Sequence, residues 1–223
     1  MSTDRPLIAS EISHHSPKTR APNKHSEMVT RVFDIVIAAV LLVLLAPLIF
    51  AVSCAIWLEN PRAPVIFRQT RYGRLGNPFV LYKLRTMVPN AESLKSDYAG
   101  LSVETGPGFK ILDDPRVTKV GRFLRHSYID EIPQLVNVLR GEMSVVGPRA
   151  NSYEPSIYEP WQRERLSVKP GITGLWQITR NKPLDFDGRC KLDLEYIRNK
   201  SFLLDTTIFI RTFFVVLIRP AGY

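Results

Sequence analysis

The feature that most constrains this chain is an uninterrupted apolar segment in its first third. Residues 35 to 58, IVIAAVLLVLLAPLIFAVSCAIWL, contain no charged side chain. As a straight helix the segment would be about 36 Å long, enough to cross a hydrocarbon core of roughly 30 Å. Pro47 lies near its middle, where a proline removes one backbone hydrogen bond and crowds the preceding turn, so a sharp bend is expected there.

Basic residues flank this segment on both sides. Positive charge stays preferentially on the cytoplasmic side of a membrane, and a single span would export one of the two flanks. A re-entrant helix over residues 29–60, broken at Pro47, keeps both flanks on one side, and the charges favour this interpretation. A transmembrane span and a buried core helix are the alternatives. The flanking residues are Lys18, Arg20, Lys24 and Arg31 before the segment and Arg62, Arg68, Arg71 and Arg74 after it.

The overall charge indicates an anionic partner. Thirty Lys and Arg residues stand against twenty-one Asp and Glu, a formal net charge of +9, which suits phosphates, a nucleic acid or an acidic lipid surface. The two cysteines, Cys54 and Cys190, occur in neither a C-x-x-C nor a metal-ligand spacing, which indicates a reducing, cytosol-facing location. Residues 1–28 are polar with three prolines and are predicted to be a disordered tail.

A basic strand follows the apolar segment. From Asn60 to Ala91 there are six basic residues and no acid, and the stretch FVLYKLRTM alternates apolar and basic positions. This alternation predicts a small β element near residues 64 to 86, with Lys83 and Arg85 on one face. A fixed pair of cations suits a phosphate better than diffuse contact with lipid headgroups does.

Two adjacent carboxylates, Asp130 and Glu131, precede a helical pattern of apolar residues within HSYIDEIPQLVNVLRGEMSVVGPR, residues 126 to 149. One interpretation is purely structural: acids in a first turn face the positive end of the helix dipole, and Ser127 could cap that end. The other interpretation is a catalytic pair. Composition does not choose between them, so the rest of the chain has to.

Taken together, these features resemble the bacterial sugar transferase family, the monotopic polyprenyl-phosphate phosphoglycosyl transferases. The resemblance adds VKPGITGLWQI at 168 to 178 and LDLEYIRNKSFLLD at 192 to 205, and it runs from about Arg31 to the C-terminus. It implies a re-entrant helix that anchors a cytosol-facing catalytic domain at the bacterial inner membrane. It also implies transfer of a sugar phosphate, often galactose or glucose phosphate, from a UDP-sugar to undecaprenyl phosphate, which initiates exopolysaccharide synthesis.

The resemblance also implies roles for the acidic pair. Asp130 would be the nucleophile and Glu131 its partner, both near Mg²⁺. Attack by a carboxylate on the phosphorus that bears the sugar gives an acyl phosphate and divides one difficult transfer into two steps. Mg²⁺ held by these carboxylates and the substrate phosphates offsets the repulsion between anions. Candidate contacts to substrate phosphate are Lys83, Arg85 and Arg149, followed by Arg116, Arg122 and Arg125.

The sequence departs from the family pattern at two sites. Members commonly carry Gly-Arg soon after Trp-Gln, where this chain has Arg180 and Asn181, and often a proline where this chain has Ala150. Trp176 could be a core residue or stack on a base or sugar. Residues 202–219 could lie along the membrane interface or pack into the domain.

The sequence therefore predicts an α+β, mostly helical, monotopic membrane protein with a cytosolic domain over residues 61–223. The predicted function is phosphosugar transfer, with membrane lipids as partners and a second copy of the chain or glycan assembly enzymes as further candidates. A non-catalytic basic adaptor in a polysaccharide assembly complex is the rival. A nucleic-acid partner is disfavoured because no recognition motif accompanies the charge.

Overall fold

The computed structural model describes residues 24–102, 111–179 and 185–218. The fold is mostly helical with two small two-stranded sheets, which confirms the predicted mostly helical α+β class. Most of the predicted tail, and the Arg180–Asn181 departure, lie outside the described residues. The first helix begins at Lys24, within the segment predicted as tail.

The elements follow in chain order. The α-helices are α1 (Lys24–Glu59), α2 (Lys119–Ser127), α3 (Gln134–Arg140), α4 (Pro160–Arg163), α5 (Leu175–Ile178), α6 (Phe186–Arg198) and α7 (Phe202–Ile218). The strands are β1 (Ile66–Tyr72), β2 (Pro78–Leu84), β3 (Ser144–Val146) and β4 (Gly171–Thr173). Short 3₁₀ turns lie at Arg74–Gly76, Ala99–Leu101, Ile129–Glu131, Pro155–Ile157 and Glu164–Ser167.

Helix α1 contains the apolar segment and is long and apolar enough to cross a membrane. It runs through Pro47, so the structure has one helix where the sequence predicted a break into two. Because Pro47 has no N–H, it leaves the carbonyl of Val43 without its usual helical donor. The middle of α1 is exposed, with Val43 75% and Leu44 68% accessible, which contradicts the buried core helix considered as an alternative.

Both ends of α1 contact the remaining domain. In its first half, Ala38 joins a core cluster with residues of α3 and β3. Near its end, Val52 and Ile56 form a second cluster with Leu84 of β2 and Leu124 of α2. The domain is therefore fastened to α1 at two places that are separated by the exposed middle.

Strands β1 and β2 form an antiparallel hairpin in which Phe67 pairs with Lys83, confirming the predicted β element. Helix α7 packs into the core through Ile208, which is 1% exposed, while Leu203 and Phe214 remain 77% and 57% exposed. The burial of Ile208 agrees with the interpretation in which this segment packs into the domain, while the interface interpretation stays a prediction for the exposed face.

A second sheet was not predicted, and it depends on glycines. Strands β3 and β4 pair in parallel, with Val146 opposite Thr173. A Cβ atom on Gly171 would lie 2.1 Å from the backbone nitrogen of Gly147, and one on Gly174 would lie 2.3 Å from the Gly147 carbonyl oxygen. Such backbone contacts admit only glycine, so the PGITG segment packs directly beneath the turn that follows β3.

We expect Gly171→Ala to destabilise the protein by about 3 kcal/mol, the upper end of the usual cost of overpacking, because the added methyl group meets backbone that has no rotamer with which to move aside. Gly100→Ala is the matched control, since a Cβ at Gly100 meets nothing within 4 Å. Thermal unfolding in detergent measures both. Equal melting temperatures for the two variants would contradict the packing described here.

Candidate active site

Asp130 and Glu131 lie in a buried 3₁₀ turn, Ile129–Glu131, between α2 and α3. Pro133 follows and has no N–H for the carbonyl of Ile129, which accepts instead from Ile132 N at 3.2 Å, a 3₁₀ bond. The structural interpretation required the two acids to lie in the first turn of α3, but they precede that helix in a 3₁₀ turn of their own. Ser127 does not cap this turn either, since its hydroxyl donates back to Phe123 O at 2.9 Å.

Glu131 is held by two cations from separate parts of the chain. Lys83 Nζ donates to Glu131 Oε1 at 2.8 Å. Arg149 reaches both carboxylate oxygens, with Nη1 at 3.1 Å from Oε2 and Nη2 on Oε1. Lys83 Nζ also lies 3.9 Å from Asp130 Oδ2. The structure thus brings Lys83, Asp130, Glu131 and Arg149 together, as the sequence predicted.

The two carboxyl groups have different electrostatic environments. Burial raises the pKa of Asp130 to about 6, even though Lys83 nearby favours the charged form. Burial also acts to raise the pKa of Glu131, but Arg149 and Lys83 outweigh it and hold that pKa well below its usual range. Glu131 is therefore a fixed anion at neutral pH, whereas Asp130 carries a weakly stabilised charge.

Arg125 and Arg122 lie on α2, which leads into the dyad. Arg125 Nε donates to Thr86 Oγ1 at 2.9 Å, and its charge favours ionisation of Asp130. Arg122 is exposed and lies 3.8 Å from Asp113, so its position is that of a surface charge. Of these two, Arg125 is the one that the structure places beside the dyad.

Arg85 and Arg116 have structural contacts in place of the predicted phosphate contacts. Arg85 is 8% exposed, and its guanidinium donates to the carbonyls of Pro64, Ile56 and Asn60. Arg116 pairs with buried Asp114 at 2.6 Å. The backbone of Arg85 still pairs with the hairpin, since its N–H donates to Val65 O at 2.8 Å. Strand alternation does not reveal that carbonyls near the end of α1 lie within reach of its guanidinium.

Sequence reasoning missed three residues around Arg149. Arg71 on β1 donates to Ala150 O at 3.3 Å, and burial together with the nearby charge of Arg149 lowers its pKa to about 10. Arg165 and Asp193 form a buried pair that also reaches the main chain of Arg149. Arg71 was visible only as one of several flanking arginines. The Arg165–Asp193 pair joins residues 28 apart that no local pattern links.

The donor set around the dyad fits Mg²⁺. Two adjacent buried carboxylates offer oxygen ligands, and Mg²⁺ is commonly held by one or two carboxylates together with substrate phosphates. Within the described ranges, no group of three or more His, Cys, Asp or Glu side chains forms a complete metal site. A metal at this place would thus depend on the substrate for its remaining ligands.

We expect the Asp130 carboxyl of metal-free protein to titrate near pH 6, the pKa to which its burial raises it. The titration is monitored by ¹³C NMR of aspartate-labelled protein. Lys83→Met removes a cation that favours the charged form, so the midpoint should rise. Lys95→Met, at an exposed lysine outside the site, is the matched control and should leave it unchanged. A midpoint near the ordinary value of 3.8, or one that falls in Lys83→Met, would contradict this electrostatic description.

The chain is similar to known proteins along most of its length. Residues 25–219 match the family described as bacterial sugar transferase. Galactosyl transferase CpsE of Streptococcus agalactiae serotype III is 42% identical over 87% of this chain, and undecaprenyl-phosphate galactose phosphotransferase of Salmonella typhimurium is 36% identical over 90%. Exopolysaccharide production protein ExoY of Sinorhizobium fredii is 36% identical over 86%.

These relatives differ in length. The matched region spans 44% of the streptococcal protein and 43% of the Salmonella protein, but 87% of ExoY. The match covers every element of the site described above, from Lys83 through Arg149 to Asp193. The chain belongs to the bacterial sugar transferase family.

Proposed function

We propose that the protein is a phosphoglycosyl transferase that moves a sugar phosphate from a UDP-sugar to undecaprenyl phosphate and so initiates an exopolysaccharide. The observation that carries this proposal is that the negative charges of the two buried carboxylates are stabilised to different extents. Glu131 is neutralised by Lys83 and Arg149, whereas the charge on Asp130 is poorly stabilised. A poorly stabilised carboxylate is the better nucleophile of such a pair.

The proposed chemistry has two displacements at one phosphorus. A carboxylate oxygen of Asp130 bonds to the phosphorus that bears the sugar, and the bond from that phosphorus to the bridging oxygen breaks, so UMP leaves with the electron pair. An oxygen of undecaprenyl phosphate then attacks the same phosphorus. The bond to Asp130 breaks, the carboxylate is restored, and the product is undecaprenyl diphosphate sugar.

The cations around the dyad suit this charge balance. Lys83, Arg149 and Arg125 surround two carboxylates, and Arg71 adds a further positive charge behind Arg149. Guanidinium groups match phosphate oxygens in geometry, so these residues can orient the diphosphate as Asp130 approaches it. Asp130 and Glu131 would hold Mg²⁺ together with substrate phosphate, and the metal would supply neutralisation of phosphate charge.

The anchor is proposed to be re-entrant at the inner membrane with the domain in the cytoplasm, and the contacts of α1 support the re-entrant part of this proposal. Arg31 near the start of α1 donates to the carbonyls of Val138 and Leu139 at 2.6 and 2.8 Å. At its end Glu59 accepts from Lys119 N at 3.0 Å. A span would separate the two ends by roughly 30 Å of hydrocarbon, whereas both ends contact one domain.

The donor sugar is proposed to be galactose or glucose. Two of the similar proteins carry galactose in their names, which supports UDP-galactose as the first donor to test. The rival adaptor function gives no purpose to the grouping of Lys83 and Arg149 around the buried acidic pair. A second copy of the chain and glycan assembly enzymes are the proposed protein partners.

The central test is the covalent intermediate. Purified protein is incubated with Mg²⁺ and, separately, UDP-galactose and UDP-glucose, without acceptor. Intact-protein mass spectrometry should show one added sugar phosphate on the wild type and none on Asp130→Asn. Turnover of Asp130→Asn with undecaprenyl phosphate should fall by several orders of magnitude.

Controls separate the enzyme from the adaptor. Undecaprenyl phosphate added afterwards should remove the adduct and yield labelled lipid, and a chelator added at the start should prevent the adduct. Absence of both adduct and UMP release with every donor would favour the adaptor. Near-normal turnover of Asp130→Asn would end the nucleophile assignment while leaving transfer itself intact.

Cysteine labelling tests the anchor. In a Cys54→Ala background, with Cys190 fully buried, Ser26→Cys and Thr70→Cys place exposed thiols on the two sides of the apolar segment. A membrane-impermeant maleimide should label both in inverted vesicles and neither in intact spheroplasts. Labelling of the two positions from opposite sides would establish a span.

A further inference from the structure

We propose that the buried Arg165–Asp193 ion pair positions Arg149 and, through it, the carboxylate of Glu131. The inference rests on the proposed function, since Glu131 and Arg149 matter for turnover only if the dyad is the active site. Neither residue of the pair touches the dyad. Arg165 and Asp193 are thus positioning residues rather than catalytic ones.

The contacts form a continuous chain. Arg165 Nε and Nη2 lie 3.0 and 2.6 Å from Asp193 Oδ2 on α6. The same Nη2 donates to the main-chain oxygen of Arg149 at 2.9 Å. The Arg149 side chain then donates to both oxygens of Glu131. One residue is therefore held at its backbone by Arg165 and at its guanidinium by Glu131.

The ion pair at the start of this series of contacts is buried, whereas Arg149 at its end is partly exposed. The side chains of Arg165 and Asp193 are 4% and 1% exposed, against 32% for Arg149. Replacing a buried ion pair by apolar residues of similar volume often leaves stability unchanged or improves it. Stability alone therefore gives little reason for a buried ion pair at this place. A need to hold the Arg149 main chain in one position does give such a reason.

The chemistry of arginine suits this task. A guanidinium presents several donors in a planar fork, so Arg165 can bond a carboxylate and a carbonyl at the same time. A lysine ammonium at this position would keep the charge but has a single compact head, and it would lose one of the two partners. The Arg149 main chain would then lose one of several contacts, and its bridge to Gly171 and the contact of Arg71 with Ala150 O would remain.

The test compares variants of residues that belong to this series of contacts with a variant of a residue outside it. Arg165→Lys and Asp193→Asn each weaken the positioning contacts. A double replacement, Arg165→Met with Asp193→Leu, removes the pair without leaving a lone buried charge and so guards against simple misfolding. The control is Asp187→Asn on the same helix α6, where the exposed aspartate accepts only from Gln162 among the hydrogen bonds of the described residues. Melting temperatures are recorded for all variants.

The activity readout is a double-mutant cycle with Arg149→Lys. We expect Arg165→Lys to lower kcat/KM by at least about 10-fold, equivalent to roughly 1.4 kcal/mol, and Asp187→Asn to leave it unchanged. In the Arg149→Lys background the same Arg165→Lys change should add less than about 3-fold, because the guanidinium it positions is gone. Additive losses would show that Arg165 acts through general stability and would overturn the proposal.

A second readout does not need turnover. Phenylglyoxal modification, located by peptide mass spectrometry, should be several-fold faster at Arg149 in Arg165→Lys and in the apolar double variant than in wild type or Asp187→Asn. An unchanged rate at Arg149 would overturn the positioning role even if transfer is confirmed. If the wild type transfers no sugar phosphate, the proposed function fails, and the modification rates still decide whether Arg165 holds Arg149 in place.

Discussion

The ion pairs around Glu131 are the interactions on which the site depends. They join three segments that are far apart in sequence: the hairpin through Lys83, the 3₁₀ turn of the dyad, and the turn after β3 through Arg149. Buried charges are costly to desolvate, and removing one partner leaves another uncompensated. The three segments are therefore locked to one another, and Glu131 stays ionised. The neighbouring Asp130 consequently receives the cations' influence only at longer range, and its burial dominates.

Backbone packing connects the turn that contains Arg149 to the rest of the domain. The turn that presents Arg149 lies directly on the PGITG segment, where Gly171 and Gly174 approach Gly147 too closely for any side chain. Arg165 then ties the same turn to α6. Two sets of contacts thus fix the turn that presents the Arg149 guanidinium: the glycine contacts of the PGITG segment, and the Arg165–Asp193 ion pair. For this reason motifs separated by tens of residues belong to one site.

Much of this was accessible from the sequence, because residue type and local pattern reflect the same physics that fixes the structure. The apolar segment and the hairpin follow from hydrophobicity and strand alternation, and the resemblance to a known family implied the grouping of Lys83 and Arg149 with the acidic pair. The β3–β4 pairing does not, since three-residue strands leave no periodic signal. Arg85 was misassigned for a different reason: its backbone still pairs with Val65, but the carbonyls that its guanidinium binds, those of Ile56 and Asn60, are more than twenty residues away in sequence.

The misassigned Arg85 also shows how the anchor and the site are connected. It covers the carbonyls of Ile56 and Asn60 at the end of α1, where a cation complements the helix dipole. At the same end Glu59 accepts from the first backbone amides of α2, the helix that leads into Asp130. The end of the apolar helix is thereby bonded to both elements that deliver the dyad and its lysine. If α1 anchors the proposed enzyme in the membrane, this bonding would set the distance between Asp130, the proposed nucleophile, and the surface that holds the proposed lipid acceptor.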